Sequence, residues 1–339
     1  MPISLDQQLT NQSPVRNTKK YKVSTDRTHS LQPQYETSRG KIYLGDAEEL
    51  LLEIPLTESK GKVQLILTSP PFPLNRKKRY GNLTGQAYIQ WLQRMAPICR
   101  DYLKPDGSIV LELGNAWERG KPVMSTLPIK ALLAFLDAGD LQLCQEFVSY
   151  NPARLPTPAQ WVTVERIRVK DAFTRVWWMA PSARPKGNNR KILKRYSKSM
   201  EELLRRGTYN SGRRPSEHNI GQTSFLRDNL GAIPPNVLIT PDLDKLEPIN
   251  LLSYANTATN DPYQVYCRAN SIVPHPSRMQ AKLAEFFIEF LTDEDDLVMD
   301  PFAGSNTTGA VAEKLQRDWL SIELEKVYID SSKARFHIP

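Results

Sequence analysis

The stretch from Leu297 to Gly309 constrains the fold more than any other part of the chain. It is an apolar strand, Leu-Val-Met-Asp, that runs into a turn of small and polar residues, and a helical pattern over 310–317 follows directly. Strand, small-residue turn and helix N-terminus, in that order, are how α/β proteins hold a nucleotide-like cofactor. The apolar segment 319–323 predicts a second strand, which ends in Glu323, a carboxylate placed to accept hydrogen bonds from two ribose hydroxyls.

A second motif, Thr68-Ser69-Pro70-Pro71-Phe72, follows the apolar segment 63–67, which predicts a buried strand. Each proline fixes φ and removes an N–H donor, so the corner presents backbone carbonyl groups to its surroundings. The aromatic ring of Phe72 beside those carbonyls suits a flat heterocycle that carries an amino group. The motif predicts a substrate corner at the end of this strand.

Composition indicates which classes of protein this chain can belong to. The 339 residues carry 45 Lys and Arg against 37 Asp and Glu, a net charge of +8 that suits a polyanionic partner. The three cysteines are widely spaced, which argues for a reducing compartment and against a disulfide framework. No apolar run approaches the ~20 residues of a transmembrane helix, and the polar N-terminus lacks the apolar core of a secretory signal.

The pattern along the chain predicts four regions. Residues 1–40 are polar and are expected to form a flexible N-terminal arm; 41–181 and 271–339 alternate strand and helix patterns; 182–270 loses apolar periodicity and is crowded with basic residues. Alternating strands and helices predict a mostly parallel, doubly wound sheet with helices on both faces. In such sheets the glycine-turn strand usually comes first in the chain, but here it comes last, so a strand at 41–46 must supply its missing neighbour.

Together the two motifs resemble the DNA amino-methyltransferases that use S-adenosylmethionine. Ser-Pro-Pro-Phe, as opposed to Asp-Pro-Pro-Tyr, resembles their cytosine-N4 branch, and the order of the motifs resembles the circularly permuted β-group of that family. The resemblance implies the α/β methyltransferase fold, with 41–181 as its catalytic half, 182–270 as an inserted target-recognition region and 271–339 as its cofactor-binding half. It implies S-adenosyl-L-methionine as the cofactor and double-stranded DNA as the substrate.

The resemblance also implies roles for particular residues. It implies that the catalytic residues are Ser69, Pro70, Pro71 and Phe72. It implies that the cofactor is bound by Asp46, Thr68, Lys282, Asp300, Phe302, Gly304, Ser305, Asn306, Thr307 and Glu323. DNA contacts are expected from the basic loop Arg76, Lys77, Lys78 and Arg79 and from the recognition-region pair Arg213 and Arg214. No metal ligand set is expected, because the four histidines are scattered without metal-ligand spacing.

The implied reaction is attack of an exocyclic amine on the sulfonium methyl group. Because the amine lone pair is delocalised into the base, carbonyl acceptors at Ser69 and Pro70 are expected to draw it out of conjugation and hold it in line. The Ser69 hydroxyl can also contact the ring nitrogen of cytosine, and Phe72 would stack on the base. The base must be flipped out of the duplex. Glu112 ends the adjacent strand, where related sequences have Asp, and its role stays open.

Several alternatives compete with this interpretation. Cytosine-C5 methylation needs a cysteine nucleophile, normally after proline, and none of the three cysteines follows one. A dinucleotide-dependent dehydrogenase needs G-x-G-x-x-G, which the turn lacks. An adenine-N6 methyltransferase of the same fold and a catalytically silent DNA-binding module remain as alternatives. We expect a monomer in a prokaryotic cytoplasm, without membrane association, that serves as the modification enzyme of a type II restriction–modification system. A companion endonuclease is possible as a genetic partner.

Overall fold

One large mixed sheet organises the chain, which a computed structural model describes at residues 31–53, 56–72, 83–151, 154–239, 262–336 and 338. Its strands are β1 (Tyr35–Glu36), β2 (Gly40–Leu44), β3 (Val63–Thr68), β4 (Leu103–Gly114), β5 (Gln142–Tyr150) and β6 (Phe173–Ala180), with β9 (Val237–Ile239), β10 (Leu297–Asp300) and β11 (Asp318–Glu323). A separate hairpin consists of β7 (Gly212–Arg213) and β8 (Asn219–Ile220).

The strand order confirms the predicted permuted, mostly parallel sheet. The order is β1-β2-β11-β10-β3-β4-β6-β5-β9, so the last two strands of the chain lie between strands of its first fifth. The five central strands from β2 to β4 are mutually parallel, whereas β6 runs antiparallel to both β4 and β5. Because parallel strands end at a common edge, both sequence motifs meet there.

Helices cover both faces of the sheet. They are α1 (Ala47–Leu50), α2 (Gly85–Tyr102), α3 (Leu127–Gly139), α4 (Lys198–Arg206), α5 (Pro262–Ala269), α6 (Ala281–Leu291), α7 (Thr307–Lys314) and α8 (Lys326–Ser332). Every residue of β3 is buried; Ile66 packs into the cluster under α1, α2 and α3, while Leu65 and Leu67 pack into the cluster under α6 and α7. Strands covered on both faces are predominantly apolar, which explains why Gln64 is the one polar residue between Val63 and Leu67. No helix in the described part of the chain is both long and apolar enough to cross a membrane.

The predicted N-terminal arm needs correction at its end. Tyr35 and Glu36 form β1, which pairs with β2, and the Tyr35 ring is buried against Trp319 and Phe336. A two-residue strand leaves too short a pattern to detect in the sequence. Residues 1–30 of the predicted arm lie outside the described residues.

The predicted recognition region, 182–270, contributes one strand to the main sheet and contacts α6. β9 extends the main sheet by pairing with β5, and the backbone N–H of Asn188 donates to the Phe290 carbonyl of α6. Lys186 forms ion pairs with Asp293 and Asp296, and its pKa is raised above the usual range. The start of the 182–270 segment is therefore attached to α6 and the loop after it, and two carboxylates of that loop balance the charge of Lys186.

Candidate active site

The cofactor motif and the substrate corner meet at one edge of the sheet. The ends of β2 and β11 are joined where the Gly45 N–H donates to the Glu323 carbonyl, 3.0 Å away. Beyond β10, the chain turns back so that the Ala303 N–H donates to the Ile322 carbonyl at 2.9 Å. The turn after β10 is thereby fixed against the end of β11.

Glu323 is a buried carboxylate held by two backbone donors. One oxygen accepts from the Gly304 N–H at 2.7 Å and the other from the Glu325 N–H at 2.9 Å. Burial raises its pKa to about 7, against the lowering effect of these two hydrogen bonds. A carboxylate offers about four lone-pair sites, so two remain for hydroxyl donors. This arrangement fits the predicted ribose contact.

Asp300 connects the two motifs. Its Oδ1 accepts from the Thr68 hydroxyl at 2.7 Å and from the Phe302 N–H at 3.1 Å, while its Oδ2 accepts from the Thr308 hydroxyl at 2.7 Å. Burial raises its pKa to about 6. Thr68 and Asp300 are both predicted cofactor residues; the structure shows that they also tie the end of β3 to the cofactor turn.

The turn after β10 depends on the conformation of Gly304 and on the contacts of Ser305. Gly304 has a φ of 54°, a left-handed conformation that glycine adopts without strain. The Ser305 hydroxyl lies 3.2 Å from the Thr307 hydroxyl, and both side chains are buried. The Ser305 carbonyl accepts from Arg335 Nε at 2.7 Å. The turn is therefore fixed from a segment that follows it in the chain.

The side chain of Asn306, a predicted cofactor residue, is held by two hydroxyl groups of the protein. The amide oxygen accepts from the Ser321 hydroxyl at 2.8 Å, and the amide nitrogen donates to the Tyr35 hydroxyl at 3.0 Å. Asn306 is fully buried at a φ of 51°, immediately before α7. The side chain supports the turn from the core, and the helix begins at Thr307, earlier than the predicted 310.

The substrate corner lies beside a buried acid. Ser69 Oγ lies 3.5 Å from the Glu112 carbonyl oxygen, and the Thr174 hydroxyl donates to the Glu112 carboxylate at 3.1 Å. Burial raises the pKa of Glu112, while the Thr174 hydrogen bond and the charge of Arg154 act in the opposite direction. A carboxyl group with a raised pKa thus stands next to the predicted catalytic serine.

Phe72 lies over the end of β4. A Cβ added to Gly114 would come within 2.7 Å of the Phe72 ring, so only glycine permits this approach. Pro70 is buried and Pro71 is half-buried. The corner is thus packed into the fold rather than projecting from it.

The ring of Phe302, in the turn after β10, packs against Trp91 of α2, with 5.4 Å between centroids.

Two further predicted cofactor residues, Asp46 and Lys282, make contacts with helices. Asp46 follows β2 and caps α1, accepting from the Glu48 N–H at 2.8 Å, directly beyond the Gly45–Glu323 contact. Lys282, predicted to bind the cofactor, has a side chain that is 63% exposed and donates to Glu285, one turn along α6. Its contact with the cofactor stays a prediction.

Of the predicted DNA-contacting residues, the structure describes Arg213 and Arg214, which lie on or beside the β7–β8 hairpin, separate from the main sheet. Arg213 is exposed on the β7–β8 hairpin, with Glu217 3.4 Å away, and Arg214 donates to the Asn210 carbonyl at 2.6 Å. The predicted basic loop of residues 76–79 lies outside the described residues.

A second group of residues, behind the cofactor turn, is absent from the sequence predictions. Arg335 lies over the Tyr263 ring at 4.5 Å, and the Tyr263 hydroxyl accepts from the His275 N–H at 3.0 Å. A Cβ on Gly304 would lie 3.0 Å from the His275 ring. These residues come from α5, the loop before α6 and the segment after α8. No sequence motif links them.

Comparison with known proteins adds independent findings. A family model described as DNA methylase matches residues 63–334. The type II methyltransferase M.PvuII of Proteus hauseri is 42% identical over 90% of this chain and 85% of its own length. M.BglII of Bacillus subtilis is 23% identical over 86% of this chain and 67% of its own length.

The solved structure of a PvuII DNA methyltransferase (cytosine-N4-specific) is also similar. It is 36% identical, covers 91% of this chain and 90% of its own, and superposes with a TM-score of 0.68. The similarity extends over both halves of the sheet and the region between them.

Proposed function

This chain belongs to the N4/N6 DNA methylase family, and we propose that it transfers a methyl group from S-adenosyl-L-methionine to the exocyclic N4 amine of a cytosine in double-stranded DNA. The observation that carries the proposal is the joining of the Ser-Pro-Pro-Phe corner to the cofactor turn through Thr68 and Asp300, whose side-chain oxygens lie 2.7 Å apart. The similar PvuII methyltransferase is cytosine-N4-specific, which supports the same choice of target atom.

The residues present fit the proposed cofactor. When bound, it supplies a methyl group on a positively charged sulfonium. Buried carboxyl groups at Asp300 and Glu323 favour a ligand with positive charge, because burial raises the free energy of each ionised group. Glu323 would accept the ribose hydroxyls, and the turn at Gly304 and Ser305 would receive the methionine portion.

The corner residues would orient the amine. Ser69 and the Pro70 carbonyl stand at the end of β3, next to the cofactor turn, so acceptors there would take the amine hydrogens and direct the lone pair outward. Holding the reacting groups in line replaces a bimolecular encounter by a positioned one. Phe72 would stack on the flipped base, an interaction worth about 1–3 kcal/mol.

Nucleoside mass spectrometry tests the proposal. Plasmid DNA incubated with the protein and isotopically labelled S-adenosylmethionine should yield labelled N4-methylcytosine on digestion. Labelled N6-methyladenine would support the adenine alternative. Cofactor and DNA binding without any labelled nucleoside would indicate the silent module. We further propose that the chain acts as the modification enzyme of a type II system, which protection of the treated plasmid from a panel of restriction endonucleases would test.

A further inference from the structure

The segment between β5 and β6 projects from the sheet beside the substrate corner. At its base Tyr150 pairs with Phe173, and the Asn115 amide donates to Asp171 at 2.8 Å. Thr174, the next residue of β6, donates to the Glu112 carboxylate, and the backbone carbonyl oxygen of Glu112 lies 3.5 Å from Ser69 Oγ. We call residues 154–171 the β5–β6 excursion.

The excursion has an ordered backbone. The N–H groups of Ile167 and Arg168 both donate to the Trp161 carbonyl, and the Asp171 N–H donates to the Thr157 carbonyl. The Trp161 ring packs against Trp117, with 6.1 Å between centroids, and the Arg168 guanidinium lies 5.5 Å from the Trp117 ring. It is therefore fixed to the loop that follows β4, on the same edge as the corner.

Its outer surface combines exposed apolar and basic side chains. From 166 to 170 the sequence is Arg-Ile-Arg-Val-Lys, and all five residues are exposed, Ile167 at 57% and Val169 at 88%. Leu155 and Val164 are exposed at 76% and 68%. An open groove of about 560 Å³ lies between Val162 and the 166–170 strip. Clustered exposed apolar side chains mark interaction sites.

We propose that the β5–β6 excursion contacts duplex DNA beside the extruded base, an inference that rests on the proposed function. Arg166 and Lys170 bind phosphates, and Ile167 and Val169 pack against the base step that opens when the target leaves the stack. Proteins that deform DNA insert apolar side chains at unstacked steps and neutralise neighbouring phosphates with basic ones.

Charge favours DNA over a second copy of this chain as the occupant. The excursion carries four basic residues against two acidic ones, Glu165 and Asp171, and Asp171 is engaged by Asn115. Two such surfaces facing each other would repel, whereas a polyanion is attracted. A base extruded into the Ser69 corner also requires its duplex to lie against the edge from which the excursion projects.

The first test concerns the basic residues. We would compare Arg166→Gln/Lys170→Gln with a control, Lys62→Gln/Arg100→Gln, whose positions lie just before β3 and near the end of α2. Binding to a duplex bearing the site mapped with wild-type protein would be measured from 50 to 200 mM NaCl. The slope of log K against log salt should become less negative by about 1.8, or 0.9 for each lost phosphate contact, in the first variant only. Calorimetry should show unchanged S-adenosylmethionine affinity.

The second test concerns the apolar residues. Ile167→Ser/Val169→Ser should keep the wild-type salt slope but lower the fluorescence of 2-aminopurine at the target position, which increases when the base leaves the stack. The control is Leu133→Ser/Leu143→Ser, on exposed positions of α3 and the start of β5. Sedimentation of the free protein would be measured in parallel.

Three results would overturn the inference: a wild-type salt slope in the basic variant, wild-type fluorescence in the apolar variant, or a changed oligomeric state of the free apolar variant. The last would assign the surface to a second copy. Wild-type protein that binds DNA and makes no N4-methylcytosine would instead reject the proposed function, so the two failures are distinguishable.

Discussion

The Ser69 hydroxyl lies 3.5 Å from the Glu112 carbonyl oxygen on β4, longer than the ~2.5–3.0 Å of an ordinary O–H···O hydrogen bond. Such a weak contact can be exchanged for an atom of the substrate. The proposed cofactor contacts come from other elements: Asp300 at the end of β10, Glu323 at the end of β11, and the turn that follows β10. The corner and the cofactor site should therefore respond separately to substitution.

Ser69→Ala should lower turnover about two- to tenfold, the equivalent of one hydrogen bond of about 0.5–1.5 kcal/mol in the transition state. Its S-adenosylmethionine affinity should match wild type in calorimetry. Ser59→Ala, before β3 at the other edge of the sheet, is the matched control and should alter neither value. Weaker cofactor binding with unchanged turnover would place Ser69 in the cofactor site.

The Asn306 side chain is buried in the core of the protein. Asn306→Ala should lower the free energy of unfolding by about 1–3 kcal/mol, because the Tyr35 and Ser321 hydroxyls lose a partner in a buried setting. The substitution also places alanine at a left-handed φ, a conformation that Asn adopts more readily than other residues with a β-carbon. Chemical denaturation would measure the loss, and Asn306→Gly separates the two contributions by relieving the backbone strain alone. Unchanged stability in both variants would contradict the structural role.

At the scale of elements, long apolar patterns were predictable and short or polar ones were not. The patterns over β3, β10 and β11 identified the central strands because their residues are covered on both faces. β1 and β9 have two and three residues and gain their stability from pairing with β2 and β5, which the local sequence does not encode. The motif also did not indicate that the Asn306 side chain contacts Tyr35 and Ser321, because a polar residue in a motif does not reveal which way its side chain points.

The contact between the segment after α8 and the cofactor turn also could not be predicted from the sequence pattern. Arg335 reaches Ser305 across 30 positions of chain, with Nε 2.7 Å from the carbonyl and a terminal nitrogen 3.2 Å from the hydroxyl. Hydrogen bonds from a charged donor are worth about 1.5–3 kcal/mol, and they act here on the position of the turn.

Arg335→Gln should therefore raise the dissociation constant for S-adenosylmethionine about three- to tenfold, since part of that energy holds the turn in its binding conformation. Equilibrium dialysis would measure it, with Lys333→Gln as the control in the same turn. The turnover number at saturating cofactor should stay within about twofold of wild type. A loss of turnover at unchanged affinity would show that Arg335 acts on the chemical step.

At the scale of the molecule, the permuted chain brings acids from separate regions to one edge. Asp300 and Glu323 come from its last strands, and Glu112 from β4, and burial raises the pKa of all three. A carboxyl group whose pKa is raised by folding binds its proton more tightly in the native state. Its contribution to stability is complete below the pKa of the unfolded chain and is lost as pH rises through the folded value.

For Glu323 that window runs from about 4.5 to about 7. The free energy of unfolding of the cofactor-free protein should accordingly fall across this range, by at most about 1.4 kcal/mol per pH unit for this one group. Glu323→Gln cannot ionise, so wild type should lose stability relative to this variant as pH rises from 5 to 7, which denaturant titrations at each pH would measure. Asp293, whose pKa is lowered to about 2 by Lys186 and Lys191, titrates below this window. A constant difference between the two proteins would contradict the raised pKa.

Cofactor affinity should have the opposite pH dependence, because ribose hydroxyls donate best to an ionised Glu323. Calorimetry from pH 6 to pH 8 should show S-adenosylmethionine binding more tightly as Glu323 loses its proton near pH 7, approaching tenfold per unit below that value. Glu323→Gln should bind weakly at every pH and lose most of this dependence. S-adenosylhomocysteine is a neutral thioether that retains the ribose, so its affinity should keep the pH dependence that comes from Glu323. It should lose the pH dependence that comes from attraction between the sulfonium and Asp300. An equal pH dependence in wild type and Glu323→Gln would show that another group controls binding.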